Sequence, residues 1–243
     1  MAITPVTRTK GEARANYDRR SRHYACLEGR FERSCRDAGV SLLAVSTGET
    51  VLEIGSGPGV SLVEFARAAR RGGRVVGIDI SARMVDVAAQ RIANAGLAGR
   101  VDLHVGDASR LPFADDAFDA VFMSFTLDLF VTPELDVVLG ECRRVLRAGV
   151  RLGVVSLALT DPPGLATRIY VWFHRQLPRL IDCRPIPAPD LVQAAGFQDV
   201  HSVRRSMWTL PVDVLVAQTP ATLYAAAQHT RVEDDDQHRG CRS

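Results

Sequence analysis

Apolar positions along this chain change period several times, and each change predicts an element. Across residues 12–45, Tyr17, Tyr24, Leu27, Phe31, Cys35 and Ala38 recur at spacings of three, four and seven, which predicts a helix. Thr50 to Ile54 is a short apolar strand running into glycines. Val60 to Arg70 turns helical, with Leu62, Phe65, Ala66 and Ala69 on one side and Gly72 and Gly73 behind it. Arg74 to Ile78 is a second strand. Ser81 has the chemistry of a helix N-cap for residues 82–95, and Gly96 that of a C-terminal stop. Val101 to Val105 is a third strand. Phe118 to Phe125 is a fourth, almost wholly apolar, as a strand buried on both faces reads. Pro133 to Leu146 is a helix with Leu135, Val138, Leu139, Cys142, Val145 and Leu146 on one stripe, and Leu152 to Leu159 a fifth strand. Alternation this regular predicts an α/β fold, a doubly wound, mostly parallel sheet.

The last third departs from it. Asp161-Pro162-Pro163-Gly164 is a turn, and residues 165–180 read as a helix carrying Trp172, Phe173 and His174. A proline-rich stretch from Arg184 to Pro189 leads into a short helix over 190–195. Two closing strands are expected near 197–205 and 206–218. The length of 243 residues suits one large domain with small additions. The expected division is an N-terminal helical segment (1–45), a main domain (46–218) with a lid insertion at about 160–190, and a mobile charged tail (219–243).

A hydrophobic share of 47% with 24% charged residues excludes global disorder. No run is apolar enough for a bilayer-spanning helix, and the N-terminus has no signal-peptide core. Peripheral membrane contact stays open. The net charge of +2 gives no argument for nucleic acid over the whole surface. Residues 1–36 nonetheless hold nine Lys/Arg against four Asp/Glu, which is either a solvated helix or a contact with an anionic substrate or surface. Five scattered cysteines without a CxxC pair fit a reducing, cytoplasmic compartment and no disulfide framework, and no metal constellation is visible.

The informative segment is Val51-Leu52-Glu53-Ile54-Gly55-Ser56-Gly57-Pro58-Gly59. Such glycines let a strand turn sharply into a helix and let a ligand touch backbone. The spacing is not the dinucleotide GxGxxG, because the third glycine comes four residues after the first. Glu53 also stands two residues before the first glycine. A carboxylate there would repel a phosphate and favour an ammonium. Asp79 closes the second strand, where a carboxylate can accept ribose hydroxyls. Asp107 follows the third strand, within reach of an adenine amine. Three carboxylates at successive strand ends suit an adenosine bearing an ammonium and no phosphate.

With these residues the sequence resembles the class I S-adenosylmethionine (SAM) dependent methyltransferases. The matching pieces are Glu53 to Gly59, Gly77-Ile78-Asp79-Ile80-Ser81 with Met84, Gly106-Asp107-Ala108 with Leu111-Pro112-Phe113, Asp116 to Val121, and Arg143-Arg144-Val145-Leu146. Asn16-Tyr17-Asp18-Arg19-Arg20-Ser21-Arg22-His23-Tyr24 is similar to the N-terminal motif of the ubiquinone/menaquinone-biosynthesis branch. The resemblance covers about residues 45–160 and implies seven strands in the order 3-2-1-4-5-7-6, the last antiparallel. It implies SAM as cofactor. Glu53 and the loop of Gly55, Ser56, Gly57 and Gly59 would face its methionine part, and Asp79 the ribose. Ile80 and Met84 would lie beside the adenine, though Met84 is also readable as plain core. Asp107 and Ala108 would bind the adenine edge, Ser124 would approach the methionine portion, and Tyr17 and Tyr24 would either close over the cofactor or pack within their helix. Ala148-Gly149-Val150 replaces the family's Pro-Gly-Gly before the fifth strand, and Gly149 can still serve that turn.

The implied reaction is methyl transfer to a small hydrophobic acceptor, quinol-, phenol- or lipid-like. Phe125, Thr126, Asp128 and Phe130, and Tyr170, Trp172, Phe173, His174, Asp182 and Arg184, are candidates to face it. His174 and Asp128 are candidate catalytic bases, with core or surface roles as the alternative. A SAM-binding protein without methyl transfer, such as a cyclase, is the rival within the fold. A nicotinamide oxidoreductase is disfavoured by Glu53 and the glycine spacing. A nucleic-acid methyltransferase is disfavoured by Ser124-Phe125-Thr126-Leu127, which lacks a target-amine motif.

Overall fold

The structure, a computed structural model, describes residue 11 and residues 30–176 and 183–221. Its elements are helix α1 (Arg30–Leu43), strand β1 (Thr50–Ile54), α2 (Val60–Ala69), β2 (Arg74–Asp79), α3 (Ala82–Asn94), β3 (Val101–Val105) and β4 (Phe118–Ser124). A single 3-10 turn (Leu127–Leu129) leads into α4 (Thr132–Val145). Then come β5 (Leu146–Leu157), α5 (Leu165–Gln176), α6 (Ala188–Ala194), β6 (Gln198–Met207) and β7 (Leu210–Gln218).

The seven strands form one sheet in the order β3-β2-β1-β4-β5-β7-β6. Pairing is parallel from β3 to β5 and antiparallel for β5–β7 and β6–β7. The doubly wound sheet and its order agree with the expectation above. Period two along the buried strands sends alternate side chains to two cores. Val51, Val75, Ala120, Phe122, Val155 and Val214 meet α1, α2 and α3 on one face, with Phe65 edge-on to Phe122 at 5.2 Å. Leu52, Val76, Val121, Met123, Val154 and Leu215 meet α4 and α6 on the other. Ser81 caps α3 by accepting from the Met84 N–H at 3.2 Å, as its sequence position predicts.

Three boundaries differ from expectation. β5 begins at Leu146, not Leu152, because the chain bulges against β4 between the Phe118–Leu146 and Ala120–Arg151 pairs, with Gly149 at φ +72°. Thr219, assigned above to a mobile tail, is buried. Its hydroxyl donates to the Arg147 carbonyl at 2.6 Å and accepts from the Val150 N–H at 3.0 Å. The closing strands are separated by a two-residue turn, Trp208-Thr209, that the expected ranges do not allow for. Both residues have positive φ, as a tight hairpin between right-twisted strands requires. Residues 12–29, 177–182 and 222–243 lie outside the described residues, and with them Tyr17, Tyr24 and Asp182.

Candidate active site

The sheet reverses its winding between β1 and β4, and a crevice forms beyond the carboxyl ends of strands at such a point. Glu53 is next to last on β1, paired with Gly77 and Phe122, and is almost fully buried. The loop that follows is fixed by backbone bonds. The Gly55 and Ser56 N–H groups donate to the Ile78 carbonyl at 2.8 and 3.2 Å. The Gly57 N–H donates to Asp79 Oδ2 at 2.8 Å, and the Ser81 N–H to Asp79 Oδ1 at 2.9 Å. Asp79 thus ties the glycine loop to the end of β2. Its backbone carbonyl accepts from the Gly106 N–H at 2.9 Å, which brings the end of β3 into the same assembly. Just beyond, Asp107 Oδ1 accepts from both the backbone and the hydroxyl of Ser109 at 2.9 Å.

Two glycines serve different purposes. A Cβ on Gly55 would lie 2.4 Å from Thr126, so glycine is needed for the post-β4 loop to pack on the cofactor loop. A Cβ on Gly57 would enter open space, with φ at +49°. That open edge is the cradle a ligand can fill. The buried Ser56 hydroxyl, with no hydrogen-bond partner among the described residues, adds a polar contact beside it. Ile80 and Ser124 are half-buried and Ala108 is buried. Met84 is 1% exposed, enclosed under the start of α3.

The acceptor side is built differently. Phe125 leaves β4 at φ +49° and donates its N–H to the Val155 carbonyl at 2.7 Å. The chain then turns inward. Asp128, a candidate to face an acceptor, is fully buried, and its Oδ2 accepts from the Leu157 N–H at 3.1 Å. Burial pushes its carboxyl up to about 7, with Arg184 opposing. Arg184 is also fully buried. Its guanidinium donates to Thr132 Oγ1 at 3.1 Å and to the Phe130 carbonyl at 2.5 Å, and its backbone N–H to the Asp128 carbonyl at 3.4 Å. Asp128 and Arg184 therefore brace the loop from behind, because the one-turn 3-10 helix rotates position 128 toward β5. His174 is buried at 6% exposure. Trp172 is exposed and stacks edge-on against Phe173, with centroids 4.9 Å apart.

A groove of about 590 Å³ opens between α1, α5 and the β6–β7 turn, lined by Ile169, Tyr170, Phe173, Met207, Trp208 and Leu210 and bordered by Glu32. Its place follows from the register. Leu157 pairs with Val212, and the Ala158 N–H donates to the Pro211 carbonyl at 2.9 Å, so the turn rises past the carboxyl end of β5. The Tyr170 hydroxyl donates to the Cys183 carbonyl at 2.9 Å, and the Cys183 thiol approaches the Phe125 carbonyl at 4.0 Å. The groove thus adjoins the post-β4 loop. His174 and Asp128 do not line it. Sequence reasoning missed Met207, Trp208 and Leu210; the one signal was Pro211, which fits the start of a strand better than its middle.

A family model described as "Methyltransferase domain" matches residues 51–149, the segment from β1 to the bulge of β5. The chain carries a class I SAM-dependent methyltransferase domain. Its cofactor is S-adenosylmethionine, which the open Gly57 edge and the buried Ser56 hydroxyl fit. The domain is similar to a demethylmenaquinone methyltransferase of Mycolicibacterium paratuberculosis, 38% identical over 149 residues, 61% of this chain and 59% of that protein. It is similar also to methyltransferase GfsG of Streptomyces halstedii, 36% identical over 117 residues, 48% of this chain and 41% of that protein. The chain thus spans about half the length of these relatives. Among solved structures, the [4+2]-cyclase SpnF has the same fold, with a TM-score of 0.59 and 22% identity over 79% of this chain and 82% of that one.

Proposed function

We propose that this protein is an enzyme that transfers a methyl group from S-adenosylmethionine to a small, hydrophobic acceptor of quinol, phenol or lipid type. The observation that carries the acceptor class is the apolar groove beside the post-β4 loop. Its size is that of a small-molecule site, and its lining suits a ring or an aliphatic chain. The demethylmenaquinone methyltransferases among its relatives favour a quinol-like acceptor.

When bound, S-adenosylmethionine supplies an electrophilic methyl carbon on a sulfonium. The protein's own task is alignment, and a well-oriented pair can gain several kcal/mol (~7 or more) from proximity alone. Glu53 offers a carboxylate to the ammonium, and Gly55, Ser56, Gly57 and Gly59 form the floor. Asp79 serves the ribose, Ile80 and Met84 the adenine face, Asp107 and Ala108 its edge, and Ser124 the methionine portion. Tyr17 and Tyr24 are assigned to closure over the cofactor. Thr126, in contact with the glycine loop, sets the distance between cofactor and acceptor. Methyl transfer would leave the sulfur of the cofactor neutral, and an oxygen or carbon acceptor would have to give up a proton. For an oxygen or carbon nucleophile a base would help, and His174 stays a candidate for it although it is buried outside the groove lining. Asp128 serves better as a brace.

Calorimetric titration with SAM and S-adenosylhomocysteine, with Asp79→Ala as control, tests the cofactor site. Incubation with quinols, phenols and lipid amines then tests the reaction. Stoichiometric S-adenosylhomocysteine and methylated product are expected. Tight SAM binding without S-adenosylhomocysteine in the presence of a converted substrate would assign the protein to the non-methylating, cyclase-type reading instead.

A further inference from the structure

We propose that the outer face of α5 and the Trp208 turn form a docking surface for an anionic lipid membrane. Leu165, Ile169, Trp172 and Phe173 are spaced four, three and one apart, one face of a helix, and are between 42% and 71% exposed. Trp208 stands beside them at 69%, at the tip of its hairpin. These five are most of the large exposed hydrophobic side chains among the described residues, where only Val105 and Val137 lie elsewhere. Concentration of this kind marks an interaction surface. Trp208 and Thr209 are held at φ +52° and +70°, a conformation disfavoured for a bulky and for a β-branched residue. The turn leaves the Trp208 side chain largely exposed.

Charge selects the partner. The sequence of α5 itself holds Arg168 and Arg175 and no carboxylate. A short helix with aromatic residues on one exposed face and arginines but no carboxylate in its sequence suits the plane of a bilayer, with indoles at the headgroup level. Anionic headgroups attract the arginines. A second copy of the chain docking on the same patch would bring like charge, the exposed Arg168 of each copy, into one interface. Among the described residues no helix is long and apolar enough to cross a membrane, so the contact is superficial. The patch rims the groove, so a lipid-soluble molecule could pass from bilayer to groove without crossing water. Docking itself does not depend on the reaction proposed above.

The protein has two tryptophans, both on this surface, so intrinsic fluorescence reads the contact directly. The full chain is titrated with vesicles of phosphatidylcholine alone and of phosphatidylcholine with an equal part of phosphatidylglycerol. Expected are a blue shift and co-sedimentation with the anionic vesicles, weakened by high salt. Leu165→Ser with Trp172→Ser, neither of which lines the groove, should weaken co-sedimentation by about tenfold or more. Arg168→Glu should weaken it on anionic vesicles alone. SAM binding and the unfolding midpoint serve as checks that the variants are folded. Three results would overturn the proposal. One is no co-sedimentation of the wild type with anionic vesicles. Another is equal binding by the folded Leu165→Ser, Trp172→Ser variant. The third is a blue shift that rises with protein concentration without lipid, which would assign the patch to self-association.

Discussion

The cofactor end and the acceptor end of this domain meet at one contact, Thr126 on Gly55, yet they are held together by different means. At the cofactor end the donors around Ile78 and Asp79 are all backbone N–H groups, three of them bonded to backbone carbonyls and two to the one carboxylate of Asp79. Gly55, Ser56, Gly57, Ser81 and Gly106 all donate to Ile78 or Asp79. At the acceptor end the constraints are side chains from distant parts of the chain, Asp128 on Leu157 and Arg184 on Thr132 and Phe130. Backbone bonds at strand ends survive most substitutions of side chains around them. A brace of two buried polar side chains does not.

The largest expected effect breaks that brace. Arg184→Ala should cost about 3–5 kcal/mol of stability in urea unfolding, because it strips two acceptors, Thr132 Oγ1 and the Phe130 carbonyl, of a buried charged donor. Combined with Asp128→Leu it should cost less than the sum of the two, by about 1 kcal/mol or more. Strict additivity would mean that the two residues do not act as one brace.

Asp128 titration gives the next largest effect. Its carboxyl is raised to about 7 by burial, above its unfolded value. The native state therefore holds the proton through a range in which the unfolded chain has released it. Stability from this group is fully present below about pH 4 and is lost as pH rises through about 7. Asp128→Asn lacks this titration. The difference between wild type and Asp128→Asn should shift in favour of the variant by roughly 2–4 kcal/mol between pH 4 and pH 8. A difference that stays constant with pH would show Asp128 to be ionised throughout.

How legible these two ends were differs for the same reason. Glu53, the glycine loop, Asp79 and Asp107 are local in sequence and sit at strand ends that apolar runs reveal. Their joint position follows from parallel pairing. Strand order came only with the family resemblance, since periodicity says nothing of neighbours. Position 128 was legible as a carboxylate after β4, but its inward turn depends on a 3-10 turn and on Arg184, which no local pattern encodes. The hairpin at Trp208-Thr209 was missed because neither residue is a turn former. The early start of β5 was missed because Arg147-Ala148-Gly149 has turn composition, and the bulge is visible only against β4.

At the cofactor end, Asp79→Ala removes the acceptor of two backbone donors and should cost about 2–3 kcal/mol of stability. SAM affinity should fall by about 100-fold or more, equivalent to ~2.7 kcal/mol. Retained affinity in a folded Asp79→Ala would remove this carboxylate from the cofactor site.

The smallest effect on stability gives the sharpest test of where the cofactor edge lies. Gly57→Ala meets no atom of the described residues within 4 Å, so its cost is that of placing a Cβ at φ +49°, about 1 kcal/mol. Gly55→Ala has a similar φ but drives its Cβ to 2.4 Å from Thr126, so its damage is steric and reaches the acceptor loop. If the open side of Gly57 is the cradle for S-adenosylmethionine, Gly57→Ala should leave the unfolding midpoint nearly in place and still weaken SAM binding about tenfold or more, by filling space the ligand needs. Gly55→Ala should lower both together. Unchanged SAM affinity in Gly57→Ala would move the cofactor edge off this loop, leaving Gly57 as a turn residue whose only task is to offer its N–H to Asp79.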